Sequence, residues 1–267
     1  MLAAAVSAPR AVWAQKPDDS THSVRWAVER LHIGFCLHFL VDSATAERLL
    51  DDAWRPVRAD QVASLHPVLQ QAVDGDSRFA AWTPGQLCLY TADAVALEGK
   101  RDAYKTAGRP ETVGVLGLAA RPDVGPSPTD GMALKILADD WRLAQATETE
   151  LIDIQSIETS RARPDEGATD ERLVVRLDKS RFIFDGHAAG DSSAAPRAIG
   201  AQWAAKGLRN TAWRAAYAFQ PTTVRSYAGA VRVEGKDRLS KALQASPVRF
   251  VGPVYEGGNG EIVFTRR

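Results

Sequence analysis

Residues Leu31–Val41 alternate between apolar side chains and polar or small ones. A period of two is that of a β-strand, because successive side chains of a strand point to opposite faces of the sheet. One face carries Ile33, Phe35, Leu37, Phe39 and Val41, and the other carries His32, Gly34, Cys36 and His38. The segment predicts a strand with its apolar face in the main core and its polar face on a pocket wall or under a covering element.

The rest of the chain favours strands over helices, and its periodicity predicts roughly nine strands in all. The strands include Gln86–Glu98, Thr112–Ala120 and Leu151–Ser160, with hairpins over 171–187 and 248–267. Short helices are predicted at Ala44–Leu50, Gln61–Val73, Asp237–Gln244 and, weakly, Ala201–Leu208, whereas Met132–Thr147 fits either element. Because the strands follow one another without long helices between them, the predicted fold class is α+β. We expect residues 23–267 to form one mostly antiparallel β-barrel or β-cone with a few short flanking helices.

Composition narrows the classes of partner. The 33 basic and 33 acidic side chains give a net charge of zero, whereas a generic nucleic-acid-binding protein carries a basic excess. No stretch approaches the ~18 apolar residues of a membrane-spanning helix. We therefore expect a small-molecule ligand or substrate, no nucleic acid and no membrane span, and leave assembly into a homo-oligomer open.

Residues 1–22 differ from the rest and are set apart from the fold. Val12-Trp13-Ala14 before Gln15 has the small-residue pattern of a signal-peptidase site, although the usual basic segment before the apolar run is missing. One interpretation is a truncated signal peptide of a periplasmic or secreted protein. The other is a disordered, alanine-rich N-terminus of a cytoplasmic one.

The two cysteines, Cys36 and Cys88, both fall in predicted strands. A free cysteine in a strand is commonly a small buried hydrophobe, and this is the state we expect. One bridge between them would form only in an oxidising compartment, and that alternative stays open.

The chain contains no nucleotide-binding glycine loop, no H-E-x-x-H zinc motif and no G-x-S-x-G motif, so no cofactor and no metal are predicted. The best polar group is His32, Cys36 and His38. His32 and His38 are six residues apart, or about 20 Å along a strand, and cannot share one metal ion. Cys36 and His38 could hold one only with a ligand from another strand. We expect the three residues to line a ligand-binding wall.

Lys135 is a lysine alone among apolar residues, between Leu134 and Ile136. An apolar setting lowers the pKa of a lysine because it penalises the charged form. The free amine is then available to form a Schiff base with a carbonyl substrate. The alternative is a lysine whose stem covers apolar surface while its ammonium group reaches water.

Several segments together resemble a known family. Residues 32–50 read HIGFCLHFLVDSATAERLL, a strand followed by Val-Asp and a short helix, and Trp54-Arg55-Pro56 comes next. Trp82-Thr83-Pro84-Gly85 precedes a long strand, and Lys135 follows a proline-rich loop. Over roughly residues 30–142 this arrangement resembles the acetoacetate decarboxylase-like group.

The resemblance implies a conical, mostly antiparallel β-barrel around an interior cavity. It also implies a lyase-type reaction in which Lys135 forms an imine with a β-keto acid. In that family a neighbouring lysine lowers the pKa of the reactive one, but here Leu134 and Ile136 flank Lys135. The alternative function is a non-catalytic, lipocalin-like periplasmic protein that binds an apolar ligand.

Overall fold

The computed structural model describes fifteen stretches of the chain. They are residues 25–50, 52–63, 65–97, 100–105, 111–123, 131–138, 150–151, 157–158, 170–177, 179–188, 198–204, 213–221, 223–246, 248–255 and 258–266. The N-terminal segment 1–22, with its predicted export signal, lies outside the described residues.

The predicted first strand is confirmed and is longer than the alternating segment. β1 runs over Arg25–Val41 and lies at the centre of the sheet. It pairs with β3 along most of its length, but a bulge shifts the register between Leu31 and Ile33. Arg30, just before the bulge, has a φ of 57°, which is uncommon outside glycine. Bulges bend a strand, and this one separates two halves of β1 that take different partners.

Fourteen strands of the described residues form one sheet, and a two-stranded ribbon of β2 and β6 lies beside it. The strands are β1 (Arg25–Val41), β2 (Trp54–Pro56), β3 (Thr83–Leu97), β4 (Lys100–Lys105), β5 (Glu111–Leu118), β6 (Ala120–Pro122), β7 (Gly131–Ala138), β8 (Glu150–Leu151), β9 (Ile157–Glu158), β10 (Asp170–Leu177), β11 (Ser180–Ala188), β12 (Ala198–Ala204), β13 (Trp213–Pro221), β14 (Val224–Gly235), β15 (Val248–Tyr255) and β16 (Gly258–Arg266).

Seven of these strands together form a closed ring. In the order β1, β3, β5, β7, β12, β13 and β16, each strand pairs with the next, and β16 pairs back to Arg25–Glu29 of β1. All pairings within this ring are antiparallel except the one between β7 and β12. We call these seven strands the ring.

A second set of strands leaves β1 beyond the bulge. Gly34–Val41 pairs with β15, and β14, β11, β10 and β9 follow in order, all antiparallel. We call these five strands the arm. A curled, mostly antiparallel sheet with short helices is the α+β barrel or cone that the sequence predicts, so the fold class is confirmed.

Three short α-helices lie in the described residues. α1 spans Ser43–Leu49, α2 spans Pro67–Gly75 and α3 spans Arg238–Ala245. Asp42 caps α1 by accepting a hydrogen bond from the Thr45 amide at 3.0 Å, as an aspartate at this position is expected to do. Asp237 caps α3 in the same way through Ser240. None of the helices in the described part of the chain is long and apolar enough to cross a membrane.

The main core lies between the ring and the arm. Leu37 and Phe39 of β1 contribute to it from the ring side, and Phe182 and Phe184 of β11 contribute from the arm side. Helices α1 and α3 cover it through buried residues that include Ala46 and Leu243. The predicted apolar face of the first strand is therefore in the main core, as expected.

A smaller core lies on the other face of β1. Leu40 packs there with Leu69 of α2, and Val68, Val73 and Val251 surround the pair. Helix α2 thus covers the end of β1 on the face that the sequence marks as polar.

Several sequence predictions are wrong in detail. Ala201–Leu208 is not helical where described, because β12 occupies 198–204. Residues 100–105, which are not among the predicted strands, form β4, and the predicted strand Leu151–Ser160 is described only as the short strands β8 and β9. The predicted helix Gln61–Val73 begins later, at Pro67, because proline fits the first helical position and His66 before it is extended.

Candidate functional site

The polar face of β1 carries a disulfide. Cys36 and Cys88 lie directly opposite each other on β1 and β3, with Cα atoms 4.1 Å apart, and their sulfurs are bonded. The expectation of free thiols is therefore wrong, because the register of β1 and β3 brings the two side chains together on one face of the sheet. Both residues are buried, and the Tyr90 hydroxyl lies 3.3 Å from the Cys36 sulfur, to which it donates.

This face of β3 packs across the ring against β13. The Tyr90 and Phe219 rings lie with their centroids 5.2 Å apart. Phe219 is fully buried, while its neighbour on the same face, Tyr217, is half-buried and hydrogen-bonds to Gln86. Because β3 and β13 are not paired strands, these contacts connect opposite sides of the ring.

His38, two residues after Cys36, belongs to the same face. It is 4% exposed and lies directly opposite Gln86 on β3 and Val251 on β15. Its ring stacks on the ring of His66, with centroids 4.1 Å apart and planes inclined by 22°. Its Nε2 atom has no hydrogen-bond partner among the described residues.

The environment keeps both imidazoles neutral. Burial holds the pKa of His38 well below its usual value, and the charge that His66 would carry lowers it further. Burial also lowers the pKa of His66 to about 4. Burial raises the pKa of the Tyr217 phenol, while its hydrogen bond with Gln86 acts in the opposite direction. At neutral pH these three side chains therefore carry no charge, and they can form hydrogen bonds but not ion pairs.

His66 also holds helix α2 in place. It is the N-cap residue, and its Nδ1 accepts a hydrogen bond from the Val68 amide at 3.4 Å. One side chain thus caps α2 and stacks on a buried residue of β1. We call His38, His66, Gln86 and Tyr217 the polar cluster.

Lys135 lies in β7, and its backbone pairs opposite Leu116 of β5. Leu116 in turn lies opposite Leu87, and Leu87 opposite Leu37, and these three leucines are all in the main core. The side chain of Lys135 lies outside what the structure describes. Its register position belongs to this row of leucines, which we call the leucine row.

The neighbouring row contains the disulfide. Cys36, Cys88 and Val115 are directly opposite one another on three successive strands, and Ile136 continues the row on β7. Successive rows of a sheet face opposite sides. The candidate lysine and the candidate ligand wall at Cys36 and His38 therefore belong to rows of opposite faces, and the register does not bring them together.

His32 is separated from Cys36 and His38 by the bulge. It falls between Leu31 and Ile33, where β1 loses register with β3. The uninterrupted alternation expected for Leu31–Val41 does not hold at this residue, and the side chain of His32 lies outside the described part. The role of His32, Cys36 and His38 in ligand binding stays a prediction.

Metal binding at Cys36 and His38 has no support in this geometry. The Cys36 sulfur is bonded to Cys88 and offers no thiolate. Within the described ranges, no three residues of the histidine, cysteine, aspartate and glutamate types are grouped to hold a metal ion.

Sequence reasoning missed four members of this site. They reach the site through strand pairing or helix docking, and they are too far apart in sequence for a local pattern to predict their meeting. These residues are Gln86, Tyr90, Tyr217 and His66. His66 had one weak local signal. It precedes Pro67, and the residue just before a proline that begins a helix is a candidate N-cap.

No family model matches this chain, and no curated protein matches it in sequence. Its structure is similar to that of an acetoacetate decarboxylase-like enzyme from Sphingomonas wittichii RW1, with 12% identity over 91% of this chain and 92% of that one and a TM-score of 0.44. It is also similar to the enduracididine biosynthesis enzyme MppR with HEPES buffer bound, with 11% identity over 98% and 97% of the two chains and a TM-score of 0.47.

A third similar structure is acetoacetate decarboxylase from Legionella pneumophila, with 7% identity over 88% and 86% of the two chains and a TM-score of 0.42. At these TM-scores and identities, the likenesses assign neither activity nor substrate to this chain. The resemblance in sequence covers roughly residues 30–142. In structure, the chain is similar to acetoacetate decarboxylase-like proteins over about nine-tenths of its length.

Proposed function

We propose that this protein binds a small carbonyl compound, such as a keto acid, and that Lys135 forms an imine with it. The observation that carries the proposal is the register position of Lys135 opposite Leu116, in the leucine row. Leu116 and Leu37 are at most 1% exposed, so the other members of this row lie in an apolar setting. Such a position lowers the pKa of an amine and favours its nucleophilic form.

The chemistry needs no cofactor. The neutral amine of Lys135 attacks the ketone carbon, and loss of one water gives the imine. In a β-keto acid, the protonated imine withdraws the electron pair of the bond to the carboxylate, so that carbon dioxide leaves and an enamine remains. Protonation of the enamine carbon and hydrolysis of the imine then release the ketone and restore the lysine. This would make the protein a lyase.

Reductive trapping tests the imine directly. The protein is incubated with acetoacetate or pyruvate, treated with sodium borohydride and digested. We expect a reduced adduct on the peptide that contains Lys135, and none in a Lys135→Met variant. Lys241→Arg is the matched control, because Lys241 is exposed on α3 and should leave the adduct unchanged. A folded protein that gives no adduct on Lys135 with either acid would contradict the imine.

A second candidate function is a lipocalin-like carrier of an apolar ligand. One observation favours it. Among the described residues, the buried polar side chains are His38, Thr45, Thr83, Ser180 and Ser240, and none of them is a carboxylate or an amine. Decarboxylation needs a group that transfers protons near the substrate, and of these five side chains only the His38 imidazole, which belongs to a row of the opposite face from Lys135, is of that type. An apolar carrier needs no such group.

Native mass spectrometry distinguishes the two functions. A carrier should retain an apolar molecule through purification, and Lys135→Met should bind it as well as the parent. An imine-forming protein should instead take up the keto acid in a Lys135-dependent way.

We also propose that the protein is exported to the periplasm or secreted. The disulfide between Cys36 and Cys88 supports this, because such bonds persist in oxidising compartments and are rare in the cytosol. Cell fractionation combined with thiol alkylation tests it. Export predicts protein in the periplasm or medium with both cysteines resistant to alkylation until a reductant is added under denaturing conditions. Protein found in the cytosol with alkylatable thiols would contradict it.

A further inference from the structure

The polar cluster joins a helix to the sheet through a contact that tolerates no added charge. His66 is at once the cap of α2 and the stacking partner of His38. His38 is buried with an Nε2 that no described group satisfies. We propose that α2 is an acid-operated lid, which leaves the end of the ring when His66 takes up a proton and so exposes His38 and Gln86 to solvent.

Three consequences of protonation act in the same direction. A proton on Nδ1 of His66 removes the acceptor of the Val68 amide and leaves the first turn of α2 uncapped. A positive charge at a helix N-terminus opposes the helix dipole. The charge also lies against the buried ring of His38, from which release of the helix would separate it.

No carboxylate among the described residues compensates this charge, because burial is the only effect on the pKa of His66. In the segment 77–81 that follows α2, the charged residue Arg78 pairs with Asp76. On the sheet side, β1 and β3 offer the disulfide and the amide Gln86, and β13 offers the neutral Tyr217. β15 brings Arg249 opposite Leu40, which is a further positive charge beside the helix. The carboxylate of Asp74 on α2 is exposed and accepts a hydrogen bond from Gln70 at 2.8 Å.

α2 is otherwise attached through the smaller core, which is separate from the main core. Its buried residue Leu69 belongs to that core with Leu40 and Ala59, and partly buried side chains surround them: Leu65, Val68, Ala72, Val73, Phe79, Trp82 and Val251. Release of the helix is therefore separable from unfolding of the sheet. The ring and the main core hold together through strand pairing and do not include α2.

Hydrogen exchange measured by mass spectrometry at pH 7.5 and pH 5, corrected for intrinsic rates, tests the lid. The pKa of His66 is about 4 with α2 in place and should return to about 6.5 in the open state. The opening equilibrium should therefore rise about thirty-fold over this pH interval. We expect a loss of protection from exchange of this size in the peptide covering residues 65–76. Protection of residues 111–118 of β5 should not change.

Two variants and a control complete the test. His66→Asn retains a side chain that can cap the helix but cannot titrate, so α2 should stay protected at both pH values. His38→Phe keeps a stacked ring without a titratable group and should leave most of the pH effect of His66. His187→Asn, at an exposed residue of β11, should behave as the parent.

The proposal would be overturned by equal loss of protection in the parent and in His66→Asn, or by none in the parent. Simultaneous loss in α2 and β5 would also overturn it, because that would be global unfolding. The proposal does not depend on imine formation at Lys135, because the exchange experiment is carried out without any ligand.

Discussion

Gly114 of β5 lies so close to the backbone of Cys88 that a Cβ atom built at residue 114 would sit 2.4 Å from the Cys88 carbonyl oxygen. Real contacts of this kind are never so short, and the obstacle is backbone rather than a flexible side chain. The approach lies in the middle of the β3–β5 pairing, beside the disulfide. Glycine is thus required at this point by the spacing of two strands and not by a turn.

We predict that Gly114→Ala lowers the free energy of unfolding by about 2–3 kcal/mol, because β3 and β5 must move apart to admit the methyl group. Urea denaturation followed by circular dichroism measures it. Gly75→Ala is the matched control, because a Cβ at residue 75 meets no atom within 4 Å. At this exposed end of α2 alanine should be neutral or stabilise by up to about 1 kcal/mol. Equal stability of the two variants would show that the close approach is absent in solution.

The disulfide gives a second prediction. Its two cysteines are 52 residues apart in sequence, and a crosslink that closes a loop of this length stabilises by about 4 kcal/mol in the chain-entropy description. We expect the Cys36→Ala/Cys88→Ala double variant to unfold at lower urea concentration, with a loss of about 2–4 kcal/mol.

A reductant provides the control for that prediction. Addition of dithiothreitol during unfolding should destabilise the parent and leave the double variant unchanged. If the reductant affects neither protein, the two thiols are not bridged.

The third prediction concerns pH. His38 and His66 have pKa values below those of the unfolded chain, so the unfolded state binds more protons between their folded and unfolded values. Stability is therefore fully present above about pH 6.5 and falls as the pH drops toward 4. We expect a loss on the order of 2 kcal/mol across this interval, since His66 is only half-buried and solvent screens part of the effect.

Urea denaturation at pH 7 and at pH 4.5 measures that loss. The double variant His38→Phe/His66→Asn should lose clearly less stability over the same interval, and His187→Asn should follow the parent. A double variant with the parent's pH dependence would assign the effect to other groups.

The fourth prediction concerns the cap of α1. Asp42→Ala removes the acceptor of the Thr45 amide and should cost about 1 kcal/mol. Asp237→Ala does the same at α3, where the Asp237 carboxylate accepts from both the amide and the hydroxyl of Ser240. Asp42 also accepts from the hydroxyls of Thr45 and Ser246, so thermal denaturation should show both variants destabilised to a similar extent. No change in either would mean that water replaces the caps.

Local patterns were sufficient wherever one short stretch decides the structure. The alternation of Phe35, Leu37 and Phe39 predicts both the strand and its buried face, and the helix predicted over Ala44–Leu50 lies within one residue of α1 at each end. The hairpin of β10 and β11 was likewise predicted, because its alternating strands and short turn lie within twenty residues.

Partners distant in sequence were not predictable in the same way. Whether Cys36 meets Cys88 depends on the register between β1 and β3, and a shift of one residue would place them on opposite faces. Ala198–Ala204 is rich in alanine, so its own preference is helical, and pairing with β7 and β13 makes it a strand. The polar cluster combines a helix cap, two strands of the ring and a third strand across it, which no single pattern describes.

The place of β1 between ring and arm has a consequence for the order of folding. Its first half needs β16 and its second half needs β15, so the earliest described strand is completed by the two latest. A chain emerging from the ribosome cannot join the arm to β1 before residue 255 has been made, and it cannot close the ring before residue 265 has been made. Contacts of such long sequence separation make folding slow. The nascent protein should therefore remain open, and recognisable to chaperones, until β15 and β16 have both been made.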